Sequence, residues 1–322
     1  MKLTQHAAAT DPGRRRRRNE DAYVVQPPLF AVADGMGGAQ AGEVASQLAA
    51  SALEGRDSDG LDGTRRIDAL IQEANRRIYD RASTDPSASG MGTTMTVALV
   101  DGMTVAIGHV GDSRAYLVRG EQMEQLTEDH SLVNELVKSG KLSAEEAHAH
   151  PQRSVITRAV GTDPDVDVDG FTIEAEEGDV FLICSDGLSD MVEDEEILEL
   201  VHQNRDDLNK AVKSLVQAAN RGGGEDNITA VAFRISSAAA NLEDTVAMPA
   251  IDFDADEPDE QTREYAEDGD APGGGDTMVV PPGELPEAVA QPAADARRVR
   301  LVLIGIVVIA LVAALVIWWL SR

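Results

Sequence analysis

The fold is decided by two similar stretches of sequence, Phe30-Ala-Val-Ala-Asp34-Gly35 and Phe181-Leu-Ile-Cys-Ser-Asp186-Gly187. Each runs from a short apolar segment, typical of a buried strand, into an Asp-Gly pair. A rigid strand places the carboxylate at its end accurately, and the glycine lets backbone or a ligand approach closely. Two further segments have a related form: Val110-Gly111-Asp112-Ser113 follows a third apolar run, and Glu225-Asp226-Asn227 precedes a fourth.

These four aspartates together predict a metal site. If the strand ends converge, the carboxylates repel one another unless cations neutralise them. Oxygen ligands without His or Cys favour hard ions, so we expect Mg²⁺ or Mn²⁺. Each segment taken alone is also compatible with an ordinary Asp-Gly turn, so the prediction depends on all four occurring in one chain.

The intervening segments predict strands interleaved with helices. Residues 95–100 and 104–110 flank Asp101-Gly102, a hairpin signal, and residues 115–118 and 122–126 flank a second turn. The apolar residues of 67–78 recur at spacings of three and four, which predicts a helix. Because helices interleave with hairpins instead of following each strand in turn, we predict an α+β fold of antiparallel sheets covered by helices.

Composition excludes several classes of function. The net charge of -29 over 322 residues argues against nucleic acid as a partner, because such binding depends on clustered Lys and Arg. The single cysteine, Cys184, allows neither an intrachain disulfide nor a multi-cysteine zinc site. Cys184 is also unsuited to be the nucleophile of a cysteine-dependent phosphatase. Such a nucleophile needs an arginine six residues later, and this chain has Asp190 at that position.

The chain is predicted to have three parts. Residues 1–237 have the pattern of a globular domain, whereas residues 238–296 are rich in Ala, Pro, Gly, Asp and Glu and predict a disordered linker. Residues 301–320 are apolar and uncharged, long enough for the ~30 Å core of a bilayer, so residues 297–322 are expected to form a transmembrane anchor. Arginines precede this span, which predicts a cytoplasmic N-terminal domain at the cell membrane.

Six motifs in order resemble the type-2C family of metal-dependent serine/threonine protein phosphatases, and its bacterial branch in particular. The resemblance covers roughly residues 4–235. The motifs are Arg16-x-x-Asn19-Glu20-Asp21, Ala33-Asp34-Gly35-Met36-Gly37-Gly38, Gly90-Met91-Gly92-Thr93-Thr94, Gly111-Asp112-Ser113-Arg114, Ser185-Asp186-Gly187-Leu188 and Asp226-Asn227-Ile228-Thr229.

The resemblance implies a four-layer αββα sandwich of two antiparallel sheets flanked by helices, with two or three Mn²⁺ or Mg²⁺ ions in a cleft. By motif position, Asp34 is expected to bridge two metals, and the carbonyl of Gly35 to ligate one of them. Asp186 and Asp226 are expected to hold the other metal. Asp112, together with Asp186, matches a third and weaker site of bacterial members.

The resemblance also implies the chemistry: hydrolysis of phosphoserine and phosphothreonine in proteins by a water that two metals activate. Glu20 matches an acid that orients this water, and Arg16 matches the arginine that binds the substrate phosphate. One departure is Met36, where some relatives have a histidine proposed as the general acid; His130 is the substitute to consider, although a structural role suits it as well. Bacterial members often oppose membrane serine/threonine kinases, so phosphoproteins and such a kinase are the expected partners.

Two alternatives remain open at this stage. A catalytically weak, membrane-tethered scaffold would have the same fold, although the presence of Arg16 and all four aspartates favours an enzyme.

The linker also contains two similar hexads, Asp244-Thr-Val-Ala-Met-Pro249 and Asp276-Thr-Met-Val-Val-Pro281. Their threonines, Thr245 and Thr277, are candidate phosphorylation sites, unless the similarity arises by chance in a segment of biased composition.

Overall fold

The computed structural model of the chain describes residues 2–37, 41–53, 63–148, 150–236 and 278–279. The predicted linker, apart from Met278–Val279, and the predicted membrane span at residues 301–320 lie outside the described residues. Among the described helices, none has the length and apolarity that crossing a membrane requires.

The described strands form two main antiparallel sheets and one separate two-stranded parallel pair, Val155–Ile156 with Met278–Val279. They are β1 (Lys2–Asp11), β2 (Asp21–Gln26), β3 (Leu29–Met36), β4 (Gly92–Thr93), β5 (Met95–Asp101), β6 (Thr104–Val110), β7 (Arg114–Arg119), β8 (Gln122–Gln125), β9 (Val155–Ile156), β10 (Asp169–Glu174), β11 (Val180–Cys184), β12 (Ile228–Ser236) and β13 (Met278–Val279). The first sheet has the order β1-β12-β11-β7-β8, and the second has the order β10-β6-β5-β3-β2, with β4 paired to β3.

Helices cover the outer faces of both sheets. They are α1 (Ala41–Leu53), α2 (Gly63–Thr84), α3 (Leu132–Lys138), α4 (Ala144–His148), α5 (Asp186–Ser189), α6 (Asp194–Gln203) and α7 (Leu208–Gly222), with a 3-10 turn at Pro86–Ala88. The apolar stripe of α2 packs on the second sheet, and residues of α5, α6 and α7 pack on the first. The predicted sandwich of two antiparallel sheets flanked by helices is therefore confirmed.

The aromatic residues of the two deciding stretches meet between the sheets. The rings of Phe30 and Phe233 stack with centroids 4.3 Å apart, and those of Phe181 and Phe233 with centroids 5.1 Å apart. All three side chains are buried in the layer between the sheets. Because β3 and β11 are covered on both faces, each reads as an unbroken apolar run instead of an alternating one. This core fixes the strands whose ends carry Asp34 and Asp186.

Both predicted hairpins are confirmed. Strands β5 and β6 pair from Asp101 opposite Thr104, and strands β7 and β8 pair from Arg119 opposite Gln122. Strand β1 was not predicted, because its small and polar residues lack a clear alternation. It pairs along its length with β12, the last strand of the domain.

Candidate active site

The four predicted carboxylates lie at neighbouring strand ends, where the structure brings them together. Asp34 lies near the end of β3, Asp112 follows β6, Asp186 follows β11, and Asp226 precedes β12. They are close enough that the charges of Asp186, Asp226 and Asp112 all act on Asp34. The convergence that the sequence predicted is thus present in the fold.

Burial and repulsion raise the pKa values of this cluster. The pKa of Asp34 lies well above its usual value, first because of burial and then because of the neighbouring carboxylates. The pKa of Asp186 is raised for the same reasons, with Asp112 the leading neighbour. The pKa of Asp112 rises to about 7 by burial and by repulsion from Asp129 and Asp190. A cation at the cluster would therefore stabilise the ionised form of these carboxylates.

Two threonines fix the position of Asp34. The hydroxyl of Thr93 donates to the carbonyl oxygen of Asp34 over 2.7 Å, and the amide of Thr94 donates to the same oxygen over 2.8 Å. The amide of Asp34 in turn donates to Oγ1 of Thr94 at 3.0 Å. The Gly-Met-Gly-Thr-Thr motif thus holds the backbone that carries the central carboxylate.

Glycines at two positions bring Glu20 beside Asp34. A β-carbon on residue 42 would lie 2.1 Å from Oε2 of Glu20, and one on residue 35 would lie 2.1 Å from the carbonyl oxygen of Gly42. The amide of Gly35 also donates to the carbonyl of Glu20 at 3.2 Å. Only glycine permits this close approach of the start of α1 to the Asp-Gly pair, which places the Glu20 carboxylate next to the cluster.

The arginine predicted to bind phosphate lies on the cluster itself. Nη2 of Arg16 donates to Oδ2 of Asp226 at 2.7 Å, and both side chains are about a quarter exposed. The neighbouring arginines Arg14, Arg15, Arg17 and Arg18 are exposed. Arg16 therefore differs from the rest of the arginine run in pointing into the site.

Sequence reasoning missed the role of Asn227. Its Nδ2 donates to the carbonyl oxygens of Pro12 and Arg18 at 3.0 and 2.9 Å, and its Oδ1 accepts the amide of Glu20 at 2.7 Å. The side chain is 3% exposed. Asn227 consequently ties the loop that carries Arg16 and Glu20 to the end of β12. Its place directly after Asp226 was the only signal in the sequence.

Asp21 was also quoted within a motif without a role. It lies opposite Asp34 across β2 and β3. Its Oδ2 accepts the hydroxyls of Ser185 at 2.9 Å and Thr229 at 2.6 Å. Burial raises the pKa of Asp21 to about 6, although these two hydrogen bonds act in the opposite direction. Asp21 therefore links the ends of β2, β11 and β12 beneath the carboxylate cluster.

His130, considered above as a general acid, has both ring nitrogens engaged within the protein. Nδ1 accepts the amide of Gly111 at 3.0 Å, and Nε2 contacts Oδ2 of Asp169 at 3.2 Å and Nη1 of Arg158 at 3.0 Å. The side chain is 8% exposed. These contacts support its structural role: His130 holds the turn that presents Asp112.

A cavity of about 230 Å³ opens beside the cluster. Asp112 and Asp186 line one side of it, and Arg114, Asp129 and Arg153 line another. Nε of Arg153 lies 3.4 Å from Asp190, and its Nη2 lies 3.2 Å from Glu225. The connection between β8 and β10, which carries Arg153, is therefore held against the two loops that present Asp186 and Asp226.

Comparison with known sequences identifies this arrangement. Residues 14–230 match the sequence model of the protein phosphatase 2C family. The chain belongs to this family. Its bacterial relatives include the serine/threonine protein phosphatase PstP of Mycobacterium tuberculosis, 43% identical over 231 residues, which are 71% of this chain and 44% of PstP. The serine/threonine phosphatase stp of Listeria innocua is 41% identical over 68% of this chain and 91% of its own length.

Solved structures of the protein phosphatase 2C family have the same fold. The crystal structure of M. tuberculosis PstP superposes with a TM-score of 0.69 at 42% identity, covering 73% of this chain and 99% of that one. The catalytic domain of PstP in complex with two manganese ions superposes with a TM-score of 0.67 at 40% identity, with the same coverage.

The residues of this protein phosphatase 2C domain fit such ions in chemistry. The cluster is made of carboxylates, which suit Mn²⁺ and Mg²⁺, and Oδ1 of Asp186 is buried and accepts no hydrogen bond from the described residues. As the described side chains stand, no three of them are arranged to ligate one ion together. Asp226 is in contact with Arg16 in this arrangement.

Proposed function

We propose that this chain is a Mn²⁺-dependent protein phosphatase that hydrolyses phosphoserine and phosphothreonine in proteins. The observation that carries the proposal is the partly buried cluster of carboxylates with raised pKa values, with Arg16 in contact with one of its members. Such a cluster suits divalent cations and, through them, a phosphate dianion. The identity to stp and PstP supports the same activity.

The metal ligands are expected to be Asp34, the carbonyl of Gly35, Asp186 and Asp226, with Asp112 and Asp186 at a third ion. Divalent ions held by these residues would make a nearby water more acidic and would neutralise charge on the phosphate. The protein supplies the rigid frame: Thr93 and Thr94 fix the Asp34 backbone. It also keeps Oδ1 of Asp186 buried and without a hydrogen-bond partner among the described residues, so that this oxygen is available to a cation.

Arg16 binds the substrate in this proposal. A guanidinium donates two parallel hydrogen bonds to phosphate oxygens, and such charge-assisted bonds are about twice as strong as neutral ones. Arg16 exchanges its contact with Asp226 for one with the phosphate. Asn227 holds the loop in register during this exchange, because it binds the carbonyls of Pro12 and Arg18.

Glu20 orients the attacking water. Its carboxylate lies against Gly42 and close to Gly35, where it accepts a hydrogen bond from a water at the cluster. The leaving alkoxide takes its proton from water in the cleft, because Met36 cannot donate one and His130 is engaged elsewhere.

A direct assay tests this function. Hydrolysis of a phosphothreonine peptide and of a small aryl phosphate is measured with Mn²⁺ and after chelation, for the wild type and for Asp34→Asn. We expect activity only in the Mn²⁺-loaded wild type. A folded wild type that binds phosphopeptide but releases no phosphate would instead identify the chain as a scaffold.

We further propose that residues 297–322 anchor the domain at the cytoplasmic face of the cell membrane, where it opposes a serine/threonine kinase. The support is the uncharged run at residues 301–320 and the arginines before it. Deleting residues 297–322 should move the active protein from the membrane fraction to the supernatant. A deletion product that stays integral to the membrane would contradict the anchor.

A further inference from the structure

A short segment of the acidic tail pairs with the catalytic domain. Met278–Val279 forms strand β13, which runs parallel to β9, with Met278 opposite Val155 and Val279 opposite Ile156. Backbone contacts group residues 1–279 into one unit, so this strand belongs with the catalytic domain. The paired residues lie inside the second of the two linker hexads, Asp276-Thr-Met-Val-Val-Pro281.

Strand β9 has one edge turned inward and the other available to a peptide. On the inner side, Ile156 bridges to Ser131, and the amide of Thr157 donates to the carbonyl of His130 at 2.8 Å. In the described part of the chain, β13 is the only other strand in the sheet of β9. An open strand edge offers unpaired amides and carbonyls that a further extended segment can use.

The second hexad suits such an edge. Met278 and Val279 are followed by Val280, so the hexad contains residue types favoured in strands. Two paired residues give a weak contact by themselves. However, the segment belongs to the same chain, so its effective concentration near the domain is roughly millimolar, which compensates for the small number of contacts.

The edge of β9 is closely connected to the active site. Ile156 packs with Met36 and Ala159 in a small buried cluster, and Met36 directly follows the Asp34-Gly35 pair. Two residues before β9, Arg153 contacts Asp190 and Glu225 at the wall of the cavity. A peptide on β9 therefore binds next to two contacts with the active site, one made by Ile156 and the other by Arg153.

We infer that the outer edge of β9 is a peptide-docking site of this domain, and that Met278–Val279 of the same chain occupies it by strand addition. The inference is independent of the phosphatase activity, because it rests on strand pairing and on the packing of Ile156. It gives the acidic tail a defined attachment point on the catalytic domain.

Hydrogen–deuterium exchange of the full chain tests this inference without measuring activity. The variant Met278→Pro/Val279→Pro removes both amide donors of β13, and Val246→Pro/Ala247→Pro makes the same change in the first hexad. We expect the amide of Ile156 to exchange about fivefold to tenfold faster in the first variant, the effect of losing one backbone hydrogen bond. The amide of Val155, which donates to the carbonyl of Gln152, should be unaffected. Exchange in the control should equal that of the wild type.

A peptide supplied in trans completes the test. A synthetic peptide of residues 274–283 should restore slow exchange to Met278→Pro/Val279→Pro, whereas the same peptide with both prolines should not. Equal exchange in the wild type and both variants would overturn the inference, as would failure of the peptide at millimolar concentration. Protection that increases with protein concentration would assign the pairing to a second copy and overturn docking within one chain.

Discussion

Arg16 and Asp226 are in direct contact, with 2.7 Å between Nη2 of the first and Oδ2 of the second. In the proposed mechanism, Asp226 ligates a metal and Arg16 binds phosphate, so the two side chains separate when metal and substrate bind. The contact therefore keeps the arginine at the site before loading, and it neutralises one member of a cluster that otherwise repels itself. This proposed role of Arg16 in binding phosphate is the basis of the first prediction.

Replacing Arg16 by Ala should lower kcat/KM for a phosphothreonine peptide by roughly 10- to 100-fold, the range expected for losing charge-assisted hydrogen bonds. Most of the loss should appear as a higher KM. Arg17→Ala is the matched control, because Arg17 is exposed in the same arginine run. Equal effects of the two substitutions on KM would mean that the run acts only through its total charge.

Replacing Asn227 by Ala should both destabilise the domain and lower its activity. Three hydrogen bonds to the loop of residues 12–20 are lost, and each typically contributes about 0.5–1.5 kcal/mol to stability. Asn204→Ala, which removes a cap contact to Leu200 at the end of α6, controls for the loss of an asparagine far from the site. Urea unfolding and kcat/KM measure the two effects. Unchanged kcat/KM in a destabilised Asn227→Ala variant would show that the loop keeps its position unaided.

Mn²⁺ should stabilise the folded protein through the carboxylate cluster. At a concentration 100-fold above its Kd, a ligand adds about 2.7 kcal/mol to the free energy of unfolding. This increase raises Tm by roughly 5–10 °C for a domain of this size. Asp186→Asn should lose most of this shift, and Asp68→Asn, on the exposed face of α2, should retain it. Thermal scans with and without Mn²⁺ provide the measurement. A full shift in Asp186→Asn would remove that residue from the ligand set.

The metal-free protein should lose stability as the pH rises from about 4 to about 7. The pKa of Asp112 is about 7 in the folded state and 3.8 ordinarily. The folded state therefore binds more protons than the unfolded state in this window, and its free energy of unfolding falls with increasing pH. Asp112→Asn should show a smaller decrease between pH 5 and pH 8 in urea titrations with a chelator. Identical decreases in the variant and the wild type would contradict this assignment.

His130→Asn should lower activity equally on a phosphothreonine peptide and on an aryl phosphate. Asn retains an acceptor for the Gly111 amide, and a residue that only positions Asp112 does not distinguish between leaving groups. A general acid would matter much more for the alkoxide of threonine, which is a poorer leaving group than a phenolate. A loss confined to the phosphothreonine peptide would restore His130 as the acid.

The predictable parts of the fold are those with a local signal. Residues 29–33 and 180–184 are apolar throughout because both faces of their strands are covered, and the turn at Asp101-Gly102 has the residues that a hairpin requires. The converging aspartates were predictable because each stands at the end of such a strand. Local sequence patterns were therefore sufficient to predict the sheets, the flanking helices and the candidate metal ligands.

The unpredicted parts depend on contacts between distant segments. Ser185 and Thr229 bind Asp21 across separations of 164 and 208 residues, and no local pattern in the sequence indicates such a partner. Strand β1 forms because β12 offers it an edge, despite weak strand propensity of its own. Strand β13 is similar, because two residues in an acidic tail become a strand only against β9.

Cys184 gives this protein a particular chemical consequence. The thiol is fully buried, and burial raises its pKa to about 12. Peroxide attacks accessible thiolates. Cys184, the single cysteine of the sequence, is neither accessible nor ionised, so peroxide does not oxidise it. Met103, by contrast, is 56% exposed and lies in the turn between β5 and β6, where conversion to the sulfoxide leaves the core undisturbed. Under oxidative stress, the proposed dephosphorylation should therefore continue while thiol-dependent phosphatases are silenced.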